Sequence, residues 1–96
     1  EYVEAMALLL QRAGRQEDVA AHQRQRLKRG LARRRPLDPS LDDRTFVERL
    51  AYSDPPLPPE QVAEVAQVLQ ALGGQPTAAQ LAALAARVDE LIKLAQ

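Results

Sequence analysis

The sequence contains no cysteine, no tryptophan and no asparagine. Without cysteine, the chain has no disulfide, no thiolate metal ligand and no cysteine nucleophile. Without asparagine, it has no acceptor for N-linked glycosylation. Aromatic residues are rare as well, with one phenylalanine and two tyrosines. We therefore expect a core built from leucine, valine and alanine.

Long hydrophobic runs are also missing. No uninterrupted apolar run exceeds six residues, as in Ala5 to Leu10, whereas a helix that crosses a bilayer needs about 20. The chain begins at Glu1 and not at a methionine, so we expect it to be a fragment of a larger membrane protein whose spanning segment lies elsewhere. Residues 1–96 suit one helical domain, since domains run from roughly 50 to 250 residues.

Apolar residues recur at spacings of three and four in five segments, which predicts an all-α fold, a compact bundle of about five helices. The first predicted helix covers residues 2–13, and the second runs from about Gln16 to Arg34. A short third helix has Ser40 as its predicted cap, with Asp43 three residues on. The predicted inward-facing residues of the second to fifth helices are Val19, Ala20, Leu27, Leu31, Phe46, Val47, Leu50, Ala51, Val62, Val65, Ala66, Leu69, Leu72, Leu81, Leu84, Ala85, Val88, Leu91 and Ile92.

Glycine and proline mark the remaining helix boundaries. The segment from Pro55 to Pro59 predicts a stiff linker that leads into the fourth helix, because proline is favoured at the first helical position. Gly73 and Gly74 end that helix. Thr77 and Gln80 form a capping box for the fifth, and the short connection predicts that the last two helices pack together.

The charge of the chain is unevenly distributed. Residues 1–36 carry nine basic and four acidic groups, whereas residues 37–96 carry four basic and nine acidic groups. The basic charge concentrates in the second predicted helix, where His22, Arg26, Arg29 and Arg33 line up as one stripe at 3.6 residues per turn. The candidate basic interaction surface comprises His22, Arg24, Arg26, Lys28, Arg29, Arg33, Arg34 and Arg35.

Several interpretations of this basic helix remain open. It is a solvated helix if its charges pair with the acidic half of the same domain. It is a membrane contact if it faces anionic lipid, where each basic residue near the surface contributes about 1 kcal/mol. It is a nucleic-acid contact if it binds phosphates, although no aromatic residue interleaves the arginines to stack on bases. An acidic protein partner is the fourth interpretation.

Catalytic equipment is sparse. His22 is the only histidine, so a zinc site lacks further nitrogen or sulfur ligands, and we interpret it as a surface residue. Ser40 and Ser53 lie in predicted loops near proline, with no nucleophile-elbow pattern around them. No glycine-rich phosphate loop is present. We therefore predict no catalytic residue, no metal site, no cofactor and no enzymatic activity.

Several segments occur together in this order: the start Glu1-Tyr2-Val3, the run to Arg12-Ala13-Gly14-Arg15, the arginine-rich helix through Leu27, Leu31 and Arg33-Arg34-Arg35, and the closing segments from Pro76 to Leu81 and from Ala86 to Leu91. Taken together they resemble the C-terminal cytoplasmic region of a family of uncharacterised bacterial membrane proteins. In that family an extracytoplasmic domain similar to a glutamine amidotransferase precedes a transmembrane helix, and a helical tail follows. The resemblance implies a cytoplasmic, membrane-attached location and no catalytic residue here. Basic residues close behind a membrane span fit the cytoplasmic side.

These observations together predict a non-catalytic interaction or regulatory domain at the cytoplasmic face of a bacterial membrane. Its basic helix would contact anionic lipid or an acidic protein partner, and two copies would form a homodimer. The alternative is a helical nucleic-acid-binding module that uses the same basic helix.

Overall fold

A computed structural model of the chain describes residues 16–53 and 57–95. All regular secondary structure in those two ranges is helical, which confirms the all-α class. The described helices are α1 (Gln16–Ala32), α2 (Asp43–Ala51), α3 (Pro59–Gly73) and α4 (Ala78–Leu94). The helix predicted over residues 2–13 lies outside the described residues. Helix α1 ends two residues before the predicted Arg34.

The predicted boundaries of α3 and α4 are confirmed. Pro59 occupies the first turn of α3, and Gly74 follows its last residue as the C-cap. At the start of α4, the Gln80 backbone N–H donates to Thr77 Oγ1 at 3.2 Å, and the Thr77 N–H donates to Gln80 Oε1 at 2.9 Å. This reciprocal capping box satisfies backbone donors that the first turn leaves without partners.

The predicted cap of α2 is wrong by two residues. Asp42, not Ser40, is the N-cap, and its carboxylate accepts from the Thr45 N–H at 3.4 Å. Ser40 instead donates its hydroxyl to Asp38 Oδ1 at 2.7 Å and its backbone N–H to the same oxygen at 2.9 Å. The hydrogen bonds from Ser40 and Thr45 lower the pKa values of Asp38 and Asp42 respectively.

One aliphatic core joins the four helices. Helix α1 packs against α3 and α4, α2 packs on α3, and α3 also contacts α4. The thin apolar stripe of α1 is completed within this chain, because Leu27 and Leu31 are fully buried. The buried core residues are Ala20, Leu27, Leu31, Phe46, Leu50, Leu57, Val65, Val68, Leu69, Leu72, Leu81, Leu84, Val88, Leu91 and Ala95.

The predicted core differs from the observed one at a few positions. Ala51, predicted to face inward, is exposed at the end of α2. Val68 was not among the predicted inward residues, yet it is fully buried, because α3 packs against three other helices and needs a wide apolar face. Leu57 is buried just before α3. It anchors the end of the proline-rich linker, whose residues 54–56 lie outside the described part.

Candidate functional site

The eight residues of the predicted basic surface do not all lie on one exposed surface. Lys28 and Arg35 are only 3% and 8% exposed, so their assignment to an exposed interaction surface is wrong. Both cations meet oxygen atoms of the same chain, Lys28 at the start of α2 and Arg35 at the end of α4.

Lys28 and Arg24 meet the carboxylate of Asp43 at the start of α2. Lys28 Nζ lies 2.6 Å from Asp43 Oδ1, and Arg24 Nη2 lies 2.8 Å from Oδ2. The Lys28 ammonium also donates to the Leu41 carbonyl at 2.9 Å and lies 5.9 Å from the ring centroid of Phe46. These contacts tie α1 to α2 and replace the water that burial removes from the ammonium.

The same cluster sets the ionisation of Asp43. Burial by itself would raise the pKa of this carboxyl group. The contacts from Lys28 and Arg24 outweigh that effect, so the pKa of Asp43 lies below its ordinary value of 3.8. Asp43 is therefore ionised at neutral pH and holds both cations.

Arg35 links the ends of two helices. Its Nη1 donates to the Leu31 carbonyl at 3.4 Å and to the Ala95 carbonyl at 3.2 Å. Leu31 lies in the last turn of α1, and Ala95 is the C-cap of α4. Carbonyl groups at helix C-termini lack intrahelical partners and carry partial negative charge, which a guanidinium stabilises. Arg35 is therefore a structural residue.

Four members of the predicted surface remain exposed. His22, Arg29, Arg33 and Arg34 are exposed, and within the described ranges none of them has a hydrogen-bond or ion-pair partner. We call these four the free basic residues. Arg26 is intermediate, since it is half-exposed and its Nη2 forms an ion pair with Asp89 of α4. Part of the basic helix is thus paired with the acidic half of the chain, and part is not.

The residues of the predicted stripe lie along one wall of a groove. His22, Arg26 and Arg29 line it from α1, Arg33 lines it from just after the end of α1, and Ile92 of α4 also lines it. We call it the α1–α4 groove, and its volume is about 420 Å³. Gly30 allows the two helices to approach here. A Cβ atom at that position would lie 2.6 Å from Ile92 Cγ1, which no ordinary contact tolerates.

The chemistry available in this groove is recognition of anions. Guanidinium groups present fixed donors that match the two oxygens of a carboxylate or phosphate. Arg29 also lies in the last turn of α1. A cation at that end of a helix interacts favourably with the helix dipole and stabilises the helix by about 0.3–1 kcal/mol. Arg33 and Arg34 directly follow the end of the helix, and neither has a carboxylate partner in the described ranges.

A second groove, between α3 and α4, has a different character. It measures about 400 Å³ and is lined mainly by small or apolar residues, among them Ala71, Pro76, Ala83 and Leu84. Its one cation, Arg87, is bound to Glu64 of α3 at 2.9 Å. It therefore offers shape but no uncompensated charge, which leaves the α1–α4 groove as the stronger candidate.

The described ranges contain neither a metal-binding cluster nor a membrane-spanning helix. Within residues 16–53 and 57–95, no three histidine, aspartate or glutamate side chains gather as a metal site. No helix in that part of the chain has the length and apolar character needed to cross a bilayer.

Comparison of the chain with known protein families, with curated proteins and with solved structures gives no match.

Proposed function

We propose that this chain is a non-catalytic interaction domain at the cytoplasmic face of a bacterial membrane. Its free basic residues contact an anionic surface, either lipid head groups or an acidic protein. The membrane location comes from the family resemblance and from the clustering of basic charge in the first third of the sequence.

One observation carries the proposal. Four basic residues in α1 and just after its end are exposed without a partner in the described ranges, although neighbouring cations bind carboxylates or carbonyls of the chain. Like charges close together repel one another, so a cluster of unpaired arginines is a cost to the folded protein. A partner that brings negative charge removes that cost.

The test uses the full chain with vesicles and DNA at physiological salt. We expect binding to vesicles that contain phosphatidylglycerol and none to neutral phosphatidylcholine vesicles. Each basic residue contributes about 1 kcal/mol at an anionic surface, so Arg29→Gln with Arg33→Gln should weaken binding roughly thirtyfold. The measurement is vesicle co-sedimentation over a range of lipid concentrations.

The matched control removes two arginines from another helix. Arg44 and Arg49 of α2 are both exposed, and Arg44 pairs only with its neighbour Glu48. The variant with Arg44→Gln and Arg49→Gln has the same net charge as the variant with Arg29→Gln and Arg33→Gln. Unlike that variant, it should bind to the vesicles as strongly as the wild type. Equal weakening by the two variants would mean that only net charge matters and would contradict the proposal. Stronger, Arg29- and Arg33-dependent binding to duplex DNA would favour the nucleic-acid alternative.

A further inference from the structure

The α1–α4 groove combines positive charge with an apolar side chain. Ile92 is half-buried, packs against the core with one side and lines the groove with another. Arg29 of α1 and Arg33, just after the end of α1, also line the groove. A ligand that fills the groove therefore meets an aliphatic contact as well as guanidinium groups.

The shape of the site distinguishes between classes of anionic partner. A bilayer surface or the side of a DNA duplex contacts residues that protrude, and neither offers an aliphatic group at the level of the phosphates. The site is instead a groove, in which Gly30 and Ile92 lie between the basic side chains, and the Ile92 side chain packs closely over the Gly30 backbone. A groove between two packed helices suits a third helix, whose side chains enter between those of its neighbours.

The chain itself shows which group satisfies the basic stripe. Arg26 belongs to the stripe, and it pairs with the carboxylate of Asp89, which reaches across from α4. Arg29 and Arg33 occupy the next positions along the stripe and have no such partner in the described ranges. They are four residues apart in the sequence, with Arg29 in the last turn of α1 and Arg33 just after its end, and both line the groove. Two carboxylates four residues apart on a partner helix, about 6 Å along its axis, would repeat the Arg26–Asp89 contact twice.

We propose that the α1–α4 groove binds an acidic amphipathic helix of a partner protein. Two carboxylates spaced four residues apart pair with Arg29 and Arg33, and an aliphatic side chain between them contacts Ile92. This inference rests on the proposed function and specifies its partner as a protein helix.

The experiment measures binding of a labelled synthetic helical peptide to the full chain by fluorescence anisotropy. The peptide carries two glutamates four residues apart with a leucine between them on the same face. We expect at least tenfold weaker binding when both glutamates become glutamine, and about fivefold weaker binding when the leucine becomes serine. Arg29→Gln with Arg33→Gln should weaken binding at least tenfold, whereas Arg44→Gln with Arg49→Gln should leave it unchanged.

Ile92→Ala separates the groove from simple charge attraction. It should weaken binding of the leucine peptide severalfold and leave binding to phosphatidylglycerol vesicles unchanged. If this variant fails to fold, as circular dichroism would show, the comparison of leucine and serine peptides on the wild-type chain decides the same question.

Each remaining outcome has one meaning. Peptide binding that ignores the leucine, or no peptide binding at all, overturns the acidic-helix inference, while vesicle binding that depends on Arg29 and Arg33 leaves the proposed function standing. If neither vesicles nor peptide depend on these arginines, both proposals fail. Sedimentation that shows two copies of the chain associating through the groove would overturn the inference in favour of self-association.

Discussion

Lys28 is a buried cation beside the apolar core. The residue is 3% exposed, and its ammonium has a carboxylate, a carbonyl and an aromatic ring around it. Removal of an ion from water costs several kcal/mol, and only well-placed partners offset that cost. The stability of the α1–α2 contact is therefore sensitive to Asp43.

This arrangement predicts an asymmetry between two substitutions. Asp43→Ala leaves the buried ammonium without its carboxylate and should lower the free energy of unfolding by about 2–3 kcal/mol. Lys28→Met should cost less, because Asp43 keeps its contact with Arg24 at 2.8 Å and is partly open to water. Urea unfolding followed by circular dichroism at neutral pH measures both. A larger loss for Lys28→Met would contradict this account of the cluster.

The lowered pKa of Asp43 predicts a loss of stability in acid. Because the folded-state pKa lies below the ordinary value of 3.8, the unfolded chain takes up protons first as the pH falls. The contribution of Asp43 is complete above that ordinary value. It decreases as the pH drops through it and disappears below the folded-state pKa. In Asp43→Asn this component is absent, so the difference in stability from the wild type should shrink as the pH falls from about 5 through 3.8 and below.

The check is unfolding in urea at a series of pH values for both proteins. Asp38 and Asp42 also have lowered pKa values, so the variant should retain part of the acid dependence. Parallel pH profiles for wild type and variant would show that Asp43 is not involved.

At the residue scale, the sequence predicts which side chains share a face of a helix better than it predicts which of them are buried. The stripe from His22 to Arg33 follows from helical geometry alone, and it does line one groove. The burial of Lys28 and Arg35 depends on which elements cover their side of α1. Arg35 binds a carbonyl sixty residues away in the sequence. No local pattern contains that information.

At the scale of elements, a capping motif predicts a helix start when no neighbouring side chain binds the capping residues. The capping box predicted for Thr77 and Gln80 is present. Ser40 follows Asp38 by two residues, and the Asp38 carboxylate accepts hydrogen bonds from both the hydroxyl and the backbone N–H of Ser40. Asp42 is then left to cap α2. The wrong prediction came from a competing turn that lies within a few residues.

The contact between α1 and α4 predicts a change of sign for one substitution. Gly30→Ala places a Cβ atom 2.6 Å from Ile92 Cγ1. Overpacking of this kind costs about 1–3 kcal/mol, more than the roughly 1 kcal/mol that alanine gains over glycine in a helix. The substitution should therefore destabilise the wild type. In an Ile92→Ala background the clash is gone, and the same substitution should stabilise.

A double-mutant cycle with urea unfolding measures this coupling. The single variants Gly30→Ala and Ile92→Ala should each lose stability, and the double variant should be more stable than Ile92→Ala alone. Equal effects of Gly30→Ala in both backgrounds would mean that the two helices do not approach as closely as described.

At the scale of the whole molecule, composition predicts the class and not the arrangement. Abundant alanine and leucine with few aromatic residues favour packed helices, and the described residues are all-α. That α3 packs against α1, α2 and α4 does not follow from its own sequence, since α4 has an equally regular apolar face. Which faces meet depends on the joint packing of every element, so Val68 was missed as a core residue.

The shared core predicts that the chain unfolds as one unit. Core residues come from all four described helices, and Leu57 extends the same cluster into the linker before α3. Helix α2 is the shortest, yet Phe46 and Leu50 are fully buried and Asp43 ties it to α1. Single domains of this size usually unfold in one cooperative step, with a urea dependence of about 1 kcal/mol per molar. Hydrogen exchange of all four helices should therefore respond to urea together with the circular dichroism signal. If α2 opens at a lower urea concentration than the other helices, residues 1–96 contain more than one folding unit.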